Sequence, residues 1–396
     1  MHNDKNVILN KVVNLYIFVV IFYMTCYINA FKSIPGLSDA LGLGLIFILL
    51  LYLIKNRIKL TKLLSYETFT FLLFILYVFS VGYIVTVNTK NQFINDAMTF
   101  IQNSLFLFVI AIWICISKSI RPMMGIIICN SIASGAIALI HNQYIYGRLS
   151  LSIKDNPNNL AYIMLVGILA LLVLFSVSKI RSFWFYFLII LFNNYIILLT
   201  GSRKNLIISL VCICLFFLFQ KNQMRKMIIY IMFSPVVALI VWYGYSEIYL
   251  NSKMIRDATE SDSLREYMYR RAIEIFYEYP FFGVGYNGYK TISGVGTYSH
   301  SVYMELLSTT GLIGFLLYCS IYLVLINKFV RQLFLKKLPF SEKKEIFQIF
   351  LMLISLIVLG FAVVHTHSII SNILMGIVIG YVLLTREKTR RVADAK

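Results

Sequence analysis

The chain has 396 residues, of which 60% are hydrophobic and only 13% charged, with a mean hydropathy of +0.80. A soluble domain carries about 25% charged residues, so this composition excludes a soluble globular protein and points to an all-α integral membrane protein. The net charge of +19 does not mark a nucleic-acid binder, because the lysines and arginines stand in short clusters between apolar runs, as topology signals do.

A hydrocarbon core of about 30 Å takes about 20 apolar residues per helix. That ruler predicts about 12 transmembrane helices, near 11–31, 37–54, 67–88, 96–117, 122–140, 159–178, 182–199, 204–220, 226–245, 306–327, 346–364 and 368–385. Lys5 and Lys11 precede the first run, but no small-residue cleavage site follows, so it reads as a retained span. The predicted organisation is a nine-span membrane segment over 1–245, a large ordered external loop over 246–303, and a three-span segment over 304–396 with a cytoplasmic tail. Two thirds of the lysines and arginines fall on the side shared by both termini, which are therefore expected in the cytoplasm. All six cysteines lie inside apolar runs and read as small hydrophobes rather than a disulfide framework or a zinc site. Asn130, Asn193 and Asn194 are uncharged polar residues within spans and predict hydrogen bonds between helices.

Three external segments hold the candidate chemistry. The first, 141–158, carries Arg148 and Asn158. The second is the short link Thr200-Gly-Ser-Arg203-Lys204, whose two adjacent cations oppose the charge bias of the outer side. Arg203 is either a solvated or snorkelling headgroup anchor or a planar fork for phosphate. The third, 246–303, is longer than a connection needs and is rich in Tyr, Phe and Ile, which argues for order. In it, Ser263-Leu-Arg-Glu266 fits a capping box, and Leu264, Met268, Ala272, Ile275, Phe276 and Tyr279 recur at helical spacing up to Pro280. Arg265 would then occupy the first turn, where a cation opposes the helix dipole. Arg270 follows Glu266 at i+4 and has a carboxylate to pair with; Arg271 stands beside it.

At the end of this segment, Tyr298-Ser-His300-Ser-Val-Tyr303-Met-Glu305 leads into an apolar helix. A histidine there either hydrogen-bonds at a helix start or accepts a proton from a hydroxyl near its own pKa. The serines, Tyr303 and Glu305 around it make a polar cluster at the interface. Gly283-Val-Gly285-Tyr-Asn-Gly288 matches a dinucleotide fingerprint literally, but no strand–turn–helix unit surrounds it, so it reads as a tight turn. His365 and His367, two residues apart, make a poor metal pair on a helix and read as interfacial.

In order and placement these segments resemble the O-antigen polymerase and O-antigen ligase family of bacterial envelope glycosyltransferases. The resemblance rests on Thr200-Gly-Ser-Arg203, on Ser263-Leu-Arg265 with Arg271-Ala272 and Tyr279-Pro-Phe-Phe-Gly-Val-Gly285, and on Ser299-His300-Ser-Val-Tyr303-Met-Glu305-Leu-Leu with Gly311-Leu-Ile-Gly314. Asn156-Pro-Asn-Asn159-Leu-Ala161 adds to it. One departure is Ser301, where the family often has Asn.

The resemblance implies a multi-pass protein of the bacterial inner membrane, acting in lipopolysaccharide biosynthesis on the periplasmic face. Its donor would be an oligosaccharide on undecaprenyl diphosphate. Its acceptor would be a second lipid-linked glycan for a polymerase, the favoured reading, or the lipid A core for a ligase. Arg203 and Arg265 would bind the diphosphate and His300 would activate the acceptor hydroxyl. Lys204, Arg270, Arg271, Tyr303, Glu305, Arg148 and Asn158 are the further substrate-binding candidates. No metal and no cofactor is expected; membrane lipid is an expected partner, a chain-length regulator a further candidate, and nucleic acid none. The rival of another class is a transporter or flippase of lipid-linked oligosaccharide, against which stand span interiors almost free of charge.

Overall fold

The computed structural model describes residues 2–30, 37, 40–44, 47–48, 65–153, 155–177, 183–219, 254–335 and 338–394. Its order is α1 (His2–Phe22, continued by a π turn at Tyr23–Tyr27), α2 (Tyr66–Val85), α3 (Lys90–Ser117), α4 (Arg121–His141), β1 (Gln143–Ile145) and β2 (Arg148–Ser150). There follow α5 (Pro157–Val177), α6 (Phe183–Leu199), α7 (Arg203–Leu218), α8 (Met254–Glu278), α9 (Gly288–Ile292), α10 (Val302–Phe334), α11 (Phe340–Leu359), a 3-10 turn at His365–His367 and α12 (Ile369–Asp394). Among the described residues the fold is all-α but for one hairpin.

Among the described residues, α2, α3, α4, α5, α10 and α12 are long and apolar enough to cross a membrane, and Lys11–Tyr27 and Trp184–Leu199 are shorter apolar stretches. The chain is thus a multi-pass membrane protein. The span expected at 226–245 and most of that at 37–54 lie outside the described residues, as does 246–253 of the expected external loop.

The chain divides into two compact units, with boundaries inside α8 and α11. The first holds α1, α4, the hairpin, α5, α6 and α7. Its helices are tied by the amides that sequence singled out. Asn130 Nδ2 donates to Thr25 Oγ1 at 3.0 Å, and Ser209 Oγ donates to Asn194 Oδ1 at 2.6 Å. Asn193 Nδ2 reaches Ser131 Oγ at 3.5 Å. Such bonds contribute about 0.6 kcal/mol each between membrane helices. The hairpin pairs Ile145 with Arg148 across Tyr146-Gly147, both at positive φ (51° and 74°), the conformation that suits a two-residue turn.

The second unit holds α2, α3, most of α8, α9, α10 and α12. Helix α12 lies against α3 through Gly376 and Gly380, whose absent Cβ atoms let the Leu107 and Ala111 backbone approach. Buried Met268, Ala272 and Ile275 of α8 pack with Val284 and Tyr289, as the helical spacing predicts. The start of α8 departs from expectation. It begins at Met254, so Ser263 is an interior residue rather than an N-cap, and Arg265 lies mid-helix rather than in the first turn. Several cap-forming residues stand upstream, in Thr259-Glu-Ser-Asp-Ser263, and the backbone runs through all of them in helical form.

Candidate functional site

In the second unit the site is built around His300. Helix α10 starts at Val302, so His300 stands just outside it, at φ 61°, a conformation few residues other than glycine adopt but one in which His is enriched. Its neighbours hold it there. The Ser299 N–H donates to Glu305 Oε2 at 2.7 Å, and Ser299 Oγ donates to the Ser301 carbonyl at 2.9 Å. Ser301 Oγ and the Val302 N–H both donate to the Gly360 carbonyl, at 3.3 and 2.8 Å. Ser299, Ser301 and Glu305 are buried, whereas His300 is only half-buried. The polar residues flanking His300 are therefore its frame, and the imidazole is what the frame presents.

Two substrate-binding candidates prove to be parts of that frame. The Glu305 carboxylate is buried against Ser299, and the Tyr303 hydroxyl donates to the Ile357 carbonyl at 2.7 Å while its ring meets Phe361. The turn at Gly360-Phe361 also receives α8: Tyr269 Oη donates to the Phe361 carbonyl at 2.9 Å. Arg265 precedes Tyr269 by one turn and is exposed, so it rises from the helix face that meets this turn. Arg265 and His300 thus stand on two elements that converge on the same corner. Arg270 and Arg271 have carboxylate partners, Glu266 at 3.0 Å and Glu274 at 2.9 Å. Both pairs are on the surface, where such contacts contribute little.

The His300 ring packs on Tyr298, with centroids 4.6 Å apart. Tyr298 in turn stacks on His367 (5.9 Å, 16°), and His367 on Tyr286 (5.1 Å, 20°). Tyr286 then meets Phe100 of α3 at 5.1 Å. The sequence reads His365 and His367 as interfacial, and on a helix they would face different ways. The 3-10 turn instead sends His365 inward, to Ser371 and the Leu356 carbonyl, and slots His367 between two tyrosines. Burial lowers the His367 pKa to about 4, with Asp96 opposing and Lys290 reinforcing the shift. The Tyr286 hydroxyl lies 3.2 Å from Nδ1, and buried Nε2 has no partner among the described residues. An unpaired N–H costs more than an unpaired lone pair, so the proton belongs on Nδ1.

In the first unit, Arg203 opens α7 and is exposed, with Lys204 beside it. The N-terminal N–H groups of α7 and the guanidinium put positive charge in one place, which suits an anion. The link before it turns through Gly201 at φ 64° and buried Thr200 and Ser202. Arg148, another binding candidate, is committed to this link: Nε donates to the Thr200 carbonyl at 2.7 Å. Its Nη2 donates to Asn158 Oδ1 at 2.9 Å, so Asn158, also a binding candidate, is its partner. Asn156 accepts the Asn158 N–H at 2.9 Å and Pro157 begins α5, a helix start that fixes Asn158 beneath the guanidinium.

Among the described residues no group of three His, Cys, Asp or Glu comes together as metal ligands would. The arrangement of the second unit can exchange a proton at a presented imidazole and attract an anion at Arg265; that of the first can attract an anion at Arg203. No curated protein matches the chain. A family model described as O-antigen ligase matches residues 185–319, the stretch that carries Arg203, Arg265 and His300. Over that region the chain is similar to the O-antigen ligase family.

Proposed function

We propose that this protein is a membrane glycosyltransferase that extends a lipid-diphosphate-linked glycan, joining oligosaccharide repeat units carried on undecaprenyl diphosphate. In this reading His300 takes the proton of an acceptor hydroxyl, whose oxygen attacks the anomeric carbon of the donor. The bond from that carbon to the diphosphate oxygen breaks, and the diphosphate leaves with the electron pair. Arg265 neutralises the charge that collects there, and Arg203 is a second anion-binding group. A diphosphate is already a good leaving group, so the reaction asks for proton transfer, orientation and charge. The active side is the periplasmic face of the bacterial inner membrane, with both termini in the cytoplasm.

The observation that carries this reading is the presentation of His300: left-handed backbone, and a half-buried residue between two buried serines. A histidine that merely satisfied a helix start would gain nothing from that strain, which costs of order 1–3 kcal/mol. The description of the matched family favours a second reading, transfer of the finished glycan to the lipid A core by a ligase. Both reactions use the same donor chemistry.

The test is transfer by purified protein in lipid vesicles. With lipid-linked repeat units alone, a ladder of longer chains lost in His300→Ala supports the polymerase. Product only after addition of lipid A core identifies the ligase. Full transfer by well-folded His300→Ala protein overturns the proton-transfer role, and no transfer with either acceptor returns the flippase reading.

A further inference from the structure

The stretch 279–289, Tyr-Pro-Phe-Phe-Gly-Val-Gly-Tyr-Asn-Gly-Tyr, has no charged residue between Glu278 and Lys290. By sequence it belongs to the external loop. In the fold it is bonded into a membrane helix. Helix α10 is broken at Gly311 (φ 63°, ψ −168°), and the groups that the break releases are taken up by this stretch. The Leu312 N–H donates to the Pro280 carbonyl at 2.8 Å and the Ile313 N–H to the Phe281 carbonyl at 3.3 Å. In return, the Val284 and Gly285 N–H groups donate to the Ser308 and Thr309 carbonyls, at 3.1 and 2.9 Å. Non-helical backbone tolerates hydrocarbon depth only where its polar groups are satisfied by protein, and here they are.

The level of this contact follows from α10 itself. Lys328, ion-paired with Glu67, and exposed Arg331 mark its charged C-terminal end. Counting back from Lys328, about 20 residues at about 1.5 Å each fill a hydrocarbon core of about 30 Å, which reaches Ser308. Leu312 and Ile313, and with them Pro280 and Phe281, lie inside that limit. The side chains agree: Tyr277 is 77% exposed and Phe281 61%, with Tyr279 and Phe282 exposed beside them. This surface runs on into exposed Leu312, Ile313 and Leu316 of α10, the face that a membrane helix turns to lipid.

We propose that the turn Tyr279–Gly285 is a membrane-inserted element. Its exposed aromatic side chains are covered by phospholipid chains of the leaflet at the N-terminal end of α10. The aromatic composition fits that position, since aromatic rings collect at the boundary between hydrocarbon and headgroups. The element would anchor the end of α8, and so fix the height above the bilayer of the helix that carries Arg265.

The test places the photoreactive residue p-benzoylphenylalanine, close in shape to Phe, at Phe281, at Phe282 and, as control, at exposed Tyr267 of α8, in full-length protein in phospholipid vesicles. The expected result on irradiation is a phospholipid adduct, read by mass spectrometry, at 281 and 282 but not at 267. A cross-linked dimer at 281 and 282 without lipid adduct would mean that a second copy covers the patch, and would overturn the proposal. A single tryptophan at 281, in protein whose native tryptophans are replaced by Phe, provides a second readout. Quenching by brominated phospholipid supports insertion, and quenching by aqueous iodide alone overturns it.

Discussion

Gly283 and Gly311 bring two stretches of backbone into direct contact. A Cβ at Gly283 would lie 2.4 Å from the Thr309 carbonyl carbon, and one at Gly311 would lie 2.4 Å from that of Phe281. Both glycines have positive φ, at 68° and 63°. Neither conformation nor space admits a side chain, and the four backbone bonds between the turn and α10 depend on both. Gly283→Ala and Gly311→Ala are each expected to lose about 1–3 kcal/mol from strain, and further stability from the clash. Gly294, also at positive φ (74°) but with open space around its missing Cβ, is the control, expected to lose the strain alone. The check is the temperature at which each variant leaves the monodisperse peak after heating in detergent; equal losses for all three would remove the contact from the account.

Arg148 predicts a different kind of loss. Its two donors join the Thr200 carbonyl to Asn158, so it braces the link that presents Arg203. Hydrogen bonds from a charged donor contribute about 1.5–3 kcal/mol each. If bracing is the role, the fork geometry matters and the charge alone does not. Arg148→Lys should then lose transfer activity nearly as far as Arg148→Ala, and both should expose the 199–203 link to proteolysis. Substantial rescue by Lys, with an unchanged cleavage pattern, would instead make Arg148 a phosphate-binding group.

These relationships also show what could and could not be read from the chain. The apolar face of α8 was legible because Met268, Ala272 and Ile275 recur with the helix, and six of the expected spans were legible because length and hydropathy are local. The intramembrane amides were legible because a buried Asn must find a partner. The bracing of Arg203 was not, since Arg148 and Thr200 are far apart in sequence and leave no periodic trace. Glu305 and Tyr303 looked like binding groups because polarity at an interface signals exposure. Their partners, the Ser299 N–H and the Ile357 carbonyl, are backbone atoms that no side-chain pattern reveals. The same reason hid His367: only the 3-10 break gives it a face different from that of a helix.

Asp155 should set a pH dependence in the first unit. Burial raises its pKa to about 6, against hydrogen bonds from Asn159 and the Asn156 backbone, and its Oδ2 has no partner among the described residues. A folded pKa above the unfolded value of about 3.9 means that the folded state binds the proton more tightly. Stability should therefore be greatest below about pH 4 as far as this group is concerned, and fall as pH rises through about 6. The difference is of order 3 kcal/mol from a shift of about two units. Asp155→Asn, which keeps an acceptor for Asn159, should be more stable than the parent at pH 7 and flatter between pH 4 and 7. Denaturation curves at several pH values decide it; an unchanged slope in the variant would assign the dependence to another group.

His367 should behave in the opposite sense and reach the site through its ring. A folded pKa of about 4 lies below the ordinary value of 6.5, so the neutral ring contributes stability that is present above about pH 6.5 and is lost as pH falls toward 4. Between Tyr286 and Tyr298 that ring is also a spacer: Tyr298 lies on one face, and His300 packs on Tyr298. His367→Ala opens a gap beneath Tyr298 and is expected to reduce transfer by roughly tenfold or more through misplacement of His300, as positioning losses do. His367→Phe keeps an aromatic spacer and should retain most of the activity while losing the acid sensitivity of folding. The pH profile of transfer separates the roles: if His367 itself moved a proton, His367→Phe would be as inactive as His367→Ala and the acidic limb of the profile would shift. With the spacer role, the Phe variant keeps the parent profile.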